Sequence, residues 1–335
     1  MSAPPPLIIG CHHKTGTTLL FKLGPIIAER LWRRDQLVVA SSAIRKEPLS
    51  QVLERLGKDL RCYFNPWFEH EVDLPPSSIR FLHFVRHPVK WVRSAYLYHK
   101  RGGPAEGIRW LDWRVFKIGE RQFSYCQLLN AVEEQFGVFL EAVRCFPEIA
   151  GTARAAYSSA GLSMKRNITL EHFQTDFDAS VRSLCEFAGL DPTQIGQIAN
   201  RLRVYDSTNP DHIPRLNVTH GSDSANRIEH CLSQDPGFRR LYAEPVKQMG
   251  FVWSESGASS EVSFLSDAFL DSILDIREQL LTDASSAKGQ KFLCSASVRD
   301  SWLAFALQSF GEGHLLMHSF IQEMLEGIQV TIPAE

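Results

Sequence analysis

The chain has 335 residues, of which 44% are hydrophobic and 22% are charged, and its formal net charge is −2. This composition is typical of a soluble globular protein that buries a full core, and it provides no global positive field that would attract nucleic acid. Any anion binding must therefore come from local sites. The 7 cysteines are scattered without a C-x-x-C pair, which argues against a disulfide framework or structural zinc and favours a reducing compartment.

No membrane segment is predicted. A spanning helix needs about 18 or more consecutive apolar residues, and no such run occurs in the sequence. Residues 1–6 lack the basic start of a secretory signal, and the apolar run that follows them is interrupted at Gly10. These features predict a cytoplasmic protein.

The first predicted elements are a strand, an anion-binding loop and a helix. An apolar run ends at Gly10, and Lys14-Thr15-Gly16-Thr17-Thr18 leads into an amphipathic helix over residues 19–33. Amides at the helix start would face an anion, Gly16 would let the backbone approach it, and the threonine hydroxyls would add donors. The alternative is that this segment is only a tight connection.

The position of the lysine distinguishes this loop from a P-loop that binds ATP or GTP. In G-x-x-x-x-G-K-[ST] the lysine follows the second glycine, whereas Lys14 lies two residues before Gly16. The order K-T-G-T-T resembles the 5′-phosphosulfate loop of the sulfotransferases, which use 3′-phosphoadenosine 5′-phosphosulfate (PAPS). The resemblance implies that the donor is bound by Lys14, Thr15, Gly16, Thr17, Thr18 and Leu19.

Strands and helices alternate through the next part of the chain. The pattern predicts strands over residues 37–40, 60–64 and 81–85, and helices over residues 48–56 and 88–100. This alternation indicates a three-layer α/β/α fold with a central, mainly parallel sheet covered on both faces. Ligands of such sheets bind at the carboxyl ends of the strands.

The strand over residues 81–85 carries a second motif. Arg86 follows the strand, Pro88 suits the first position of a helix, and Ser94 lies eight residues after Arg86 (94 − 86). The arrangement resembles the 3′-phosphate element of the same family, so Arg86 and Ser94 are expected to bind the 3′-phosphate of PAPS. An arginine suits this task because its guanidinium makes bidentate bonds to phosphate. The alternative is a surface arginine at a strand end.

The resemblance extends over about residues 5–254. Residues 108–145 are predicted to be helical and rich in aromatic residues. Residues 167–173 resemble a late strand of the family. Residues 177–190 resemble the family helix that follows it, and this helix ends Phe187-Ala188-Gly189-Leu190. Residues 241–253 are similar to the closing helix of the family. The family's R-K-G and G-x-x-G segment is not found, which leaves the contacts to adenine unassigned.

The general base is expected just beyond the strand over residues 60–64. His70 is the first candidate, because a histidine with a pKa near 6.5 acts as a base at neutral pH without tuning, and Glu69 is the second. The alternative is that these residues form a solvated loop. His12 and His13, beside the phosphate loop, rank third.

Residues 255–335 are predicted to be a helical C-terminal extension to a sulfotransferase domain over residues 1–254. Two helical stretches, residues 262–282 and 298–328, carry apolar sets at helical spacing. We expect this extension to pack on the main domain or to pair two subunits in a homodimer.

The resemblance as a whole implies a P-loop NTPase-like fold and transfer of a sulfuryl group from PAPS to a hydroxyl or amine, without a metal. No motif identifies the acceptor, which is expected to be a small molecule or a carbohydrate. Two alternatives stay open: a P-loop nucleotide kinase or NTPase, and a noncatalytic binding protein that retains the fold.

Overall fold

A computed structural model describes residues 5–12, 14–31, 37–39, 47–57, 59–66, 68, 70–101, 115–118, 121–131, 134–206 and 223–253. The chain divides into two compact units. The first comprises residues 1–87, 150–215 and 247–251, and the second comprises residues 88–149, 216–246 and 252–335. The predicted boundary after residue 254 and the predicted extension over residues 255–335 lie outside the described residues.

The strands are, in chain order, β1 (Leu7–Gly10), β2 (Leu37–Val39), β3 (Cys62–Asn65), β4 (Arg80–Val85), β5 (Val115–Ile118), β6 (Arg121–Ser124) and β7 (Lys165–Thr169). The helices are α1 (Thr17–Leu31), α2 (Leu49–Leu56), α3 (Pro88–Arg101), α4 (Tyr125–Ala131), α5 (Glu134–Ser158), α6 (Leu170–Thr175), α7 (Phe177–Ala188), α8 (Pro192–Leu202), α9 (Asp223–Gln234) and α10 (Pro236–Gln248). Short 3₁₀ turns occupy Ser159–Gly161 and Arg203–Tyr205. None of the helices in these ranges is long and apolar enough to cross a membrane.

The first unit is built on a five-stranded sheet in the order β2-β3-β1-β4-β7. Every neighbouring pair of its strands is parallel. The predicted α/β architecture with a parallel sheet is therefore confirmed. Between residues 7 and 101, most ends of the predicted strands and helices lie within one or two residues of those in the structure. The agreement is close because each element carries a clear apolar run or an amphipathic period.

Both faces of this sheet are covered, because alternate residues of each buried strand point to opposite sides. Leu7 and Ile9 of β1 belong to one apolar cluster, together with residues of α1, α7 and α8. Ile8, between them, belongs to a second cluster with residues of α2 and α5. The α/β/α layering follows from these two clusters.

The central strand β1 sets the position of the phosphate loop. Gly10, its last residue, is in register with Asn65 at the end of β3 and with His83 in β4. The carboxyl ends of these parallel strands therefore meet at one edge of the sheet, where the loop after β1 begins.

Gly10 also permits a close approach of Phe68 to the sheet. A Cβ built on Gly10 would lie 2.7 Å from Cγ of Phe68, which is far inside van der Waals contact. Phe68 is fully buried, and its amide donates to the Cys11 carbonyl at 2.9 Å. A side chain at position 10 would therefore displace the segment that leads from β3 to His70.

The second unit contains α3, α4, α9, parts of α5 and α10, and an antiparallel pair of strands, β5 and β6. The prediction that residues 108–145 are helical is wrong at this pair, where Val115 is in register with Ser124 and Ile118 with Arg121. The sequence reads Val-Phe-Lys-Ile-Gly-Glu-Arg-Gln-Phe-Ser, so β-branched and aromatic residues lie on both sides of a glycine. This is a hairpin signal that the aromatic spacing obscured.

The second unit also buries charged side chains. Glu141 and Arg144, both on α5, form an ion pair, and Nδ1 of His99 lies 3.0 Å from Oε1 of Glu141. Burial would raise the pKa of Glu141, but Arg144 and His99 outweigh burial and hold that pKa well below its usual value. Such a paired cluster is costly to break, because removing one partner leaves a buried charge uncompensated.

Candidate functional site

The loop between β1 and α1 has an unusual backbone at two positions. Lys14 has φ 63° and Gly16 has φ 114°. Glycine adopts such positive φ values at no steric cost, whereas a lysine there brings its Cβ against the following carbonyl. Lys14 is the one non-glycine residue with positive φ in the described ranges. Strain of this kind persists only where surrounding contacts hold it.

The carbonyl of His12 is the centre of the contacts inside the loop. It accepts hydrogen bonds from the Thr15 amide at 3.1 Å, the Thr15 hydroxyl at 2.9 Å and the Thr17 hydroxyl at 2.7 Å. Thr15 Oγ1 also accepts from the His12 amide at 2.8 Å. Thr15 is fully buried. The side chains of Thr15 and Thr17, predicted as ligands of the donor, therefore shape the loop in this structure.

The start of α1 presents backbone amides. Leu20 makes the first helical bond, from its amide to the Gly16 carbonyl at 3.0 Å. By helix geometry the amides of Thr17, Thr18 and Leu19 precede that bond and have no acceptor within the helix. The helix dipole adds partial positive charge at the same end. The predicted phosphate-loop residues thus lie together, with amide donors and a partly exposed Lys14.

Arg86 is buried against this loop, with 1% of its side chain exposed. Its Nη1 donates to the Lys14 carbonyl at 2.8 Å, and its Nε donates to Oε1 of Glu171 on α6 at 2.9 Å. Its Nη2 is also buried and has no hydrogen-bond partner within the described part of the chain. The guanidinium therefore supports the same residue whose backbone is strained.

Ser94, the other residue predicted to bind the 3′-phosphate, lies on α3 in the second unit and is buried. Arg86 belongs to the first unit. The shared role of Arg86 and Ser94 stays a prediction.

His70, the first candidate for the base, is buried with 1% of its surface exposed. Its Nδ1 lies 2.7 Å from the Glu47 carbonyl, which can only accept, so Nδ1 carries the proton. Its Nε2 lies 3.0 Å from both Tyr63 Oη and Asn65 Nδ2. Burial lowers the pKa of His70, and the hydrogen bond to Glu47 partly opposes this shift.

These contacts bear on the predicted catalytic role. The lone pair of Nε2 is already an acceptor, so His70 could take a proton from a substrate only after releasing a partner. Glu69, the second candidate, and His13 lie outside the described residues. The identity of the base stays a prediction.

His12 and His83 form a buried pair that the sequence did not predict. Their Nε2 atoms are 2.8 Å apart, and both residues are at most 1% exposed. Burial lowers the pKa of His12 to about 3. Burial, His12 and Lys165 hold the pKa of His83 well below its usual value. Both rings are therefore neutral, with one nitrogen donating to the other. The sequence did contain a signal for this pair, because His83 is a histidine inside the apolar run that forms β4.

Within the described ranges, no group of three or more His, Cys, Asp or Glu side chains is placed to hold a metal ion. Comparisons of the chain with protein-family models, with functionally characterised proteins and with solved structures find no match. The chemistry of the site therefore has to be inferred from its own residues.

Proposed function

We propose that this protein is a PAPS-dependent sulfotransferase that binds the phosphosulfate end of its donor at the loop between β1 and α1. The observation that carries the proposal is the placement of Lys14. It lies two residues before Gly16, in a left-handed conformation, at the carboxyl edge of a parallel sheet. Anions are bound at such strand-to-helix turns because amides and the helix dipole converge there.

The loop offers donors that fit a phosphosulfate group. The amides of Thr17, Thr18 and Leu19 supply hydrogen bonds, and the ammonium of Lys14 supplies a full positive charge. Arg86, which is predicted to bind the 3′-phosphate of the same donor, adds a buried guanidinium whose Nη2 has no partner in the described part of the first unit. An anion beside Nη2 would remove the cost of a buried and unsatisfied donor.

In the proposed reaction the bound donor supplies a sulfuryl group, which passes in line from the 5′-phosphate to an acceptor oxygen or nitrogen. Lys14 and the amides stabilise the negative charge that grows on the leaving phosphate as the bond from sulfur to the bridging oxygen breaks. A base, His70 or Glu69 in our proposal, takes the acceptor's proton. No step requires a metal.

The same proposal includes a P-loop NTPase-like fold for the parallel sheet and its helices. It is supported by the strand order, in which β1 lies between β3 and β4, and by the anion loop at the end of β1. The order of residues favours sulfuryl transfer over a kinase or NTPase, because no lysine follows Gly16. In addition, the residue after β4 is Arg86 and not an acid suited to Mg²⁺.

The nucleotide preference tests the proposal directly. Calorimetry should show that 3′-phosphoadenosine 5′-phosphate (PAP) binds roughly ten- to a hundredfold more tightly than ADP, because a charged phosphate contact contributes about 1.5–3 kcal/mol. Equal affinities would refute the proposed donor. Sulfuryl transfer should also persist in EDTA, whereas a kinase would lose its activity.

The remaining features of the proposal follow from the predicted family. The acceptor is a hydroxyl or amine of a small molecule or carbohydrate, and the protein is cytoplasmic. The role of residues 255–335, packing on the main domain or pairing two subunits, stays a prediction. If PAP binds but no acceptor is ever sulfated, the noncatalytic binding protein becomes the better description.

A further inference from the structure

Glu171 is a charged residue beside the phosphate loop to which the sequence assigned no chemistry. It lies on α6, directly after β7, which pairs with β4 in parallel register up to Val85 and Thr169. This pairing places the start of α6 beside the end of β4, where Arg86 follows. The ion pair between Glu171 and Arg86 joins residues 85 positions apart in sequence.

The two bonded nitrogens of Arg86 hold different parts of the site. Nε is fixed by the Glu171 carboxylate at 2.9 Å, and Nη1 is fixed on the Lys14 carbonyl at 2.8 Å. A guanidinium is planar and rigid, so fixing Nε and Nη1 also fixes Nη2. Of the three nitrogens of the Arg86 guanidinium, Nη2 is then the one without a hydrogen-bond partner in the described structure.

The contact with Lys14 also explains how the strained loop persists. A left-handed lysine is disfavoured by its own backbone, so its carbonyl direction must be held by another group. Arg86 supplies that restraint from one side, and the hydrogen bonds of Thr15 to His12 supply it from the other. Glu171 is the residue of α6 that accepts from Nε of Arg86, so its removal takes this restraint from the guanidinium.

We infer that Glu171 is a positioning residue for the anion site, acting through Arg86. It orients the guanidinium so that Nη1 holds the Lys14 backbone in its left-handed conformation and Nη2 is left for an anion. The loop conformation is independent of which anion binds, whereas the effect on nucleotide affinity rests on the proposed function.

A simple electrostatic argument predicts the opposite effect of Glu171. A carboxylate near an anion site repels the anion, so removing it should tighten binding. Positioning predicts that removal weakens binding, because Arg86 loses its orientation and the loop loses its restraint. The two predictions differ in sign and can be separated by substitution.

The test compares Glu171→Ala with Glu171→Gln, which keeps an oxygen to accept from Nε but removes the charge. We expect Glu171→Ala to bind PAP at least tenfold more weakly than the wild type, and Glu171→Gln to stay within about threefold. His172→Ala, at the neighbouring exposed position of α6, is the matched control and should bind as the wild type does. Tighter or unchanged binding by Glu171→Ala would overturn the inference.

A second measurement does not need a ligand. In hydrogen–deuterium exchange, the Thr15 and Leu20 amides, which are hydrogen-bonded to the His12 and Gly16 carbonyls, should exchange at least tenfold faster in Glu171→Ala and Arg86→Ala, with unchanged protection in β1 and β4. The double variant should exchange like Arg86→Ala alone, because both residues act through one contact. Unchanged loop exchange, or additive effects, would overturn the inference. If the wild type fails to bind PAP, the proposed function fails, while the exchange measurement still decides the role of Glu171.

Discussion

Replacing Lys14 separates the backbone of the phosphate loop from its charge. Lys14→Ala and Lys14→Gly both remove the ammonium, but they differ in how easily they adopt φ 63°. This conformation costs an L-residue about 1–2 kcal/mol and costs glycine almost nothing. Glycine in turn loses about 0.4–1 kcal/mol more conformational entropy on folding.

The difference between the two variants follows from these opposing contributions. We expect Lys14→Gly to be more stable than Lys14→Ala by roughly 0.5–1 kcal/mol in free energy of unfolding. In a protein of this size that corresponds to a difference of about 2 °C in Tm. Denaturant titration and thermal unfolding of both variants measure it. A Lys14→Gly variant that is less stable than Lys14→Ala would refute the left-handed conformation.

Turnover of the same pair tests the charge. Removing a group that stabilises transition-state charge costs about 100- to 1,000-fold in rate. We expect both variants to lose turnover by this amount while PAP affinity falls far less, because the ammonium acts most strongly on the anionic leaving oxygen. If Lys14→Gly keeps wild-type turnover, the backbone of the loop matters and its ammonium does not. If binding weakens while turnover stays normal, Lys14 acts in ground-state recognition.

Three further outcomes are expected. Gly10→Ala should destabilise the fold by about 1–3 kcal/mol, because the added methyl group would overpack against the buried aromatic ring beside it. Gly196→Ala, at an open helical position, should instead stabilise the fold by about 0.5–1 kcal/mol. Equal effects of the two substitutions in unfolding titrations would contradict the close approach at Gly10. Because the pKa of His12 is lowered to about 3, the unfolded chain binds more protons between pH 6.5 and that value. Stability should therefore fall as the pH drops through this window, by about 1.4 kcal/mol per unit for each such histidine, and His12→Phe should flatten the profile. His70→Ala should lose about 1–3 kcal/mol of stability, because the substitution leaves buried polar groups without a partner. A loss of roughly a hundredfold in turnover of the folded fraction would identify His70 as the base. A near wild-type rate would direct the search to Glu69.

The burial of His70 illustrates what a sequence pattern leaves open. His70 follows a strand and sits among acidic residues, which fits either a catalytic group or a solvated loop. Its partners Tyr63 and Asn65 are close in sequence, but the Glu47 carbonyl lies 23 residues away. Only the packed fold determines whether such a polar side chain meets water or a buried acceptor.

The sequence alone determined the local elements around the two predicted phosphate-binding motifs. The strand, loop and helix around Lys14, and the strand and helix on either side of Arg86, could be predicted because apolar period, glycine and proline act over a few residues. The tertiary structure decided the strand order, the pairing of His12 with His83, and the ion pair of Arg86 with Glu171. Each of these depends on which distant strands become neighbours in the sheet, and that register is set by burial of whole faces rather than by local pattern.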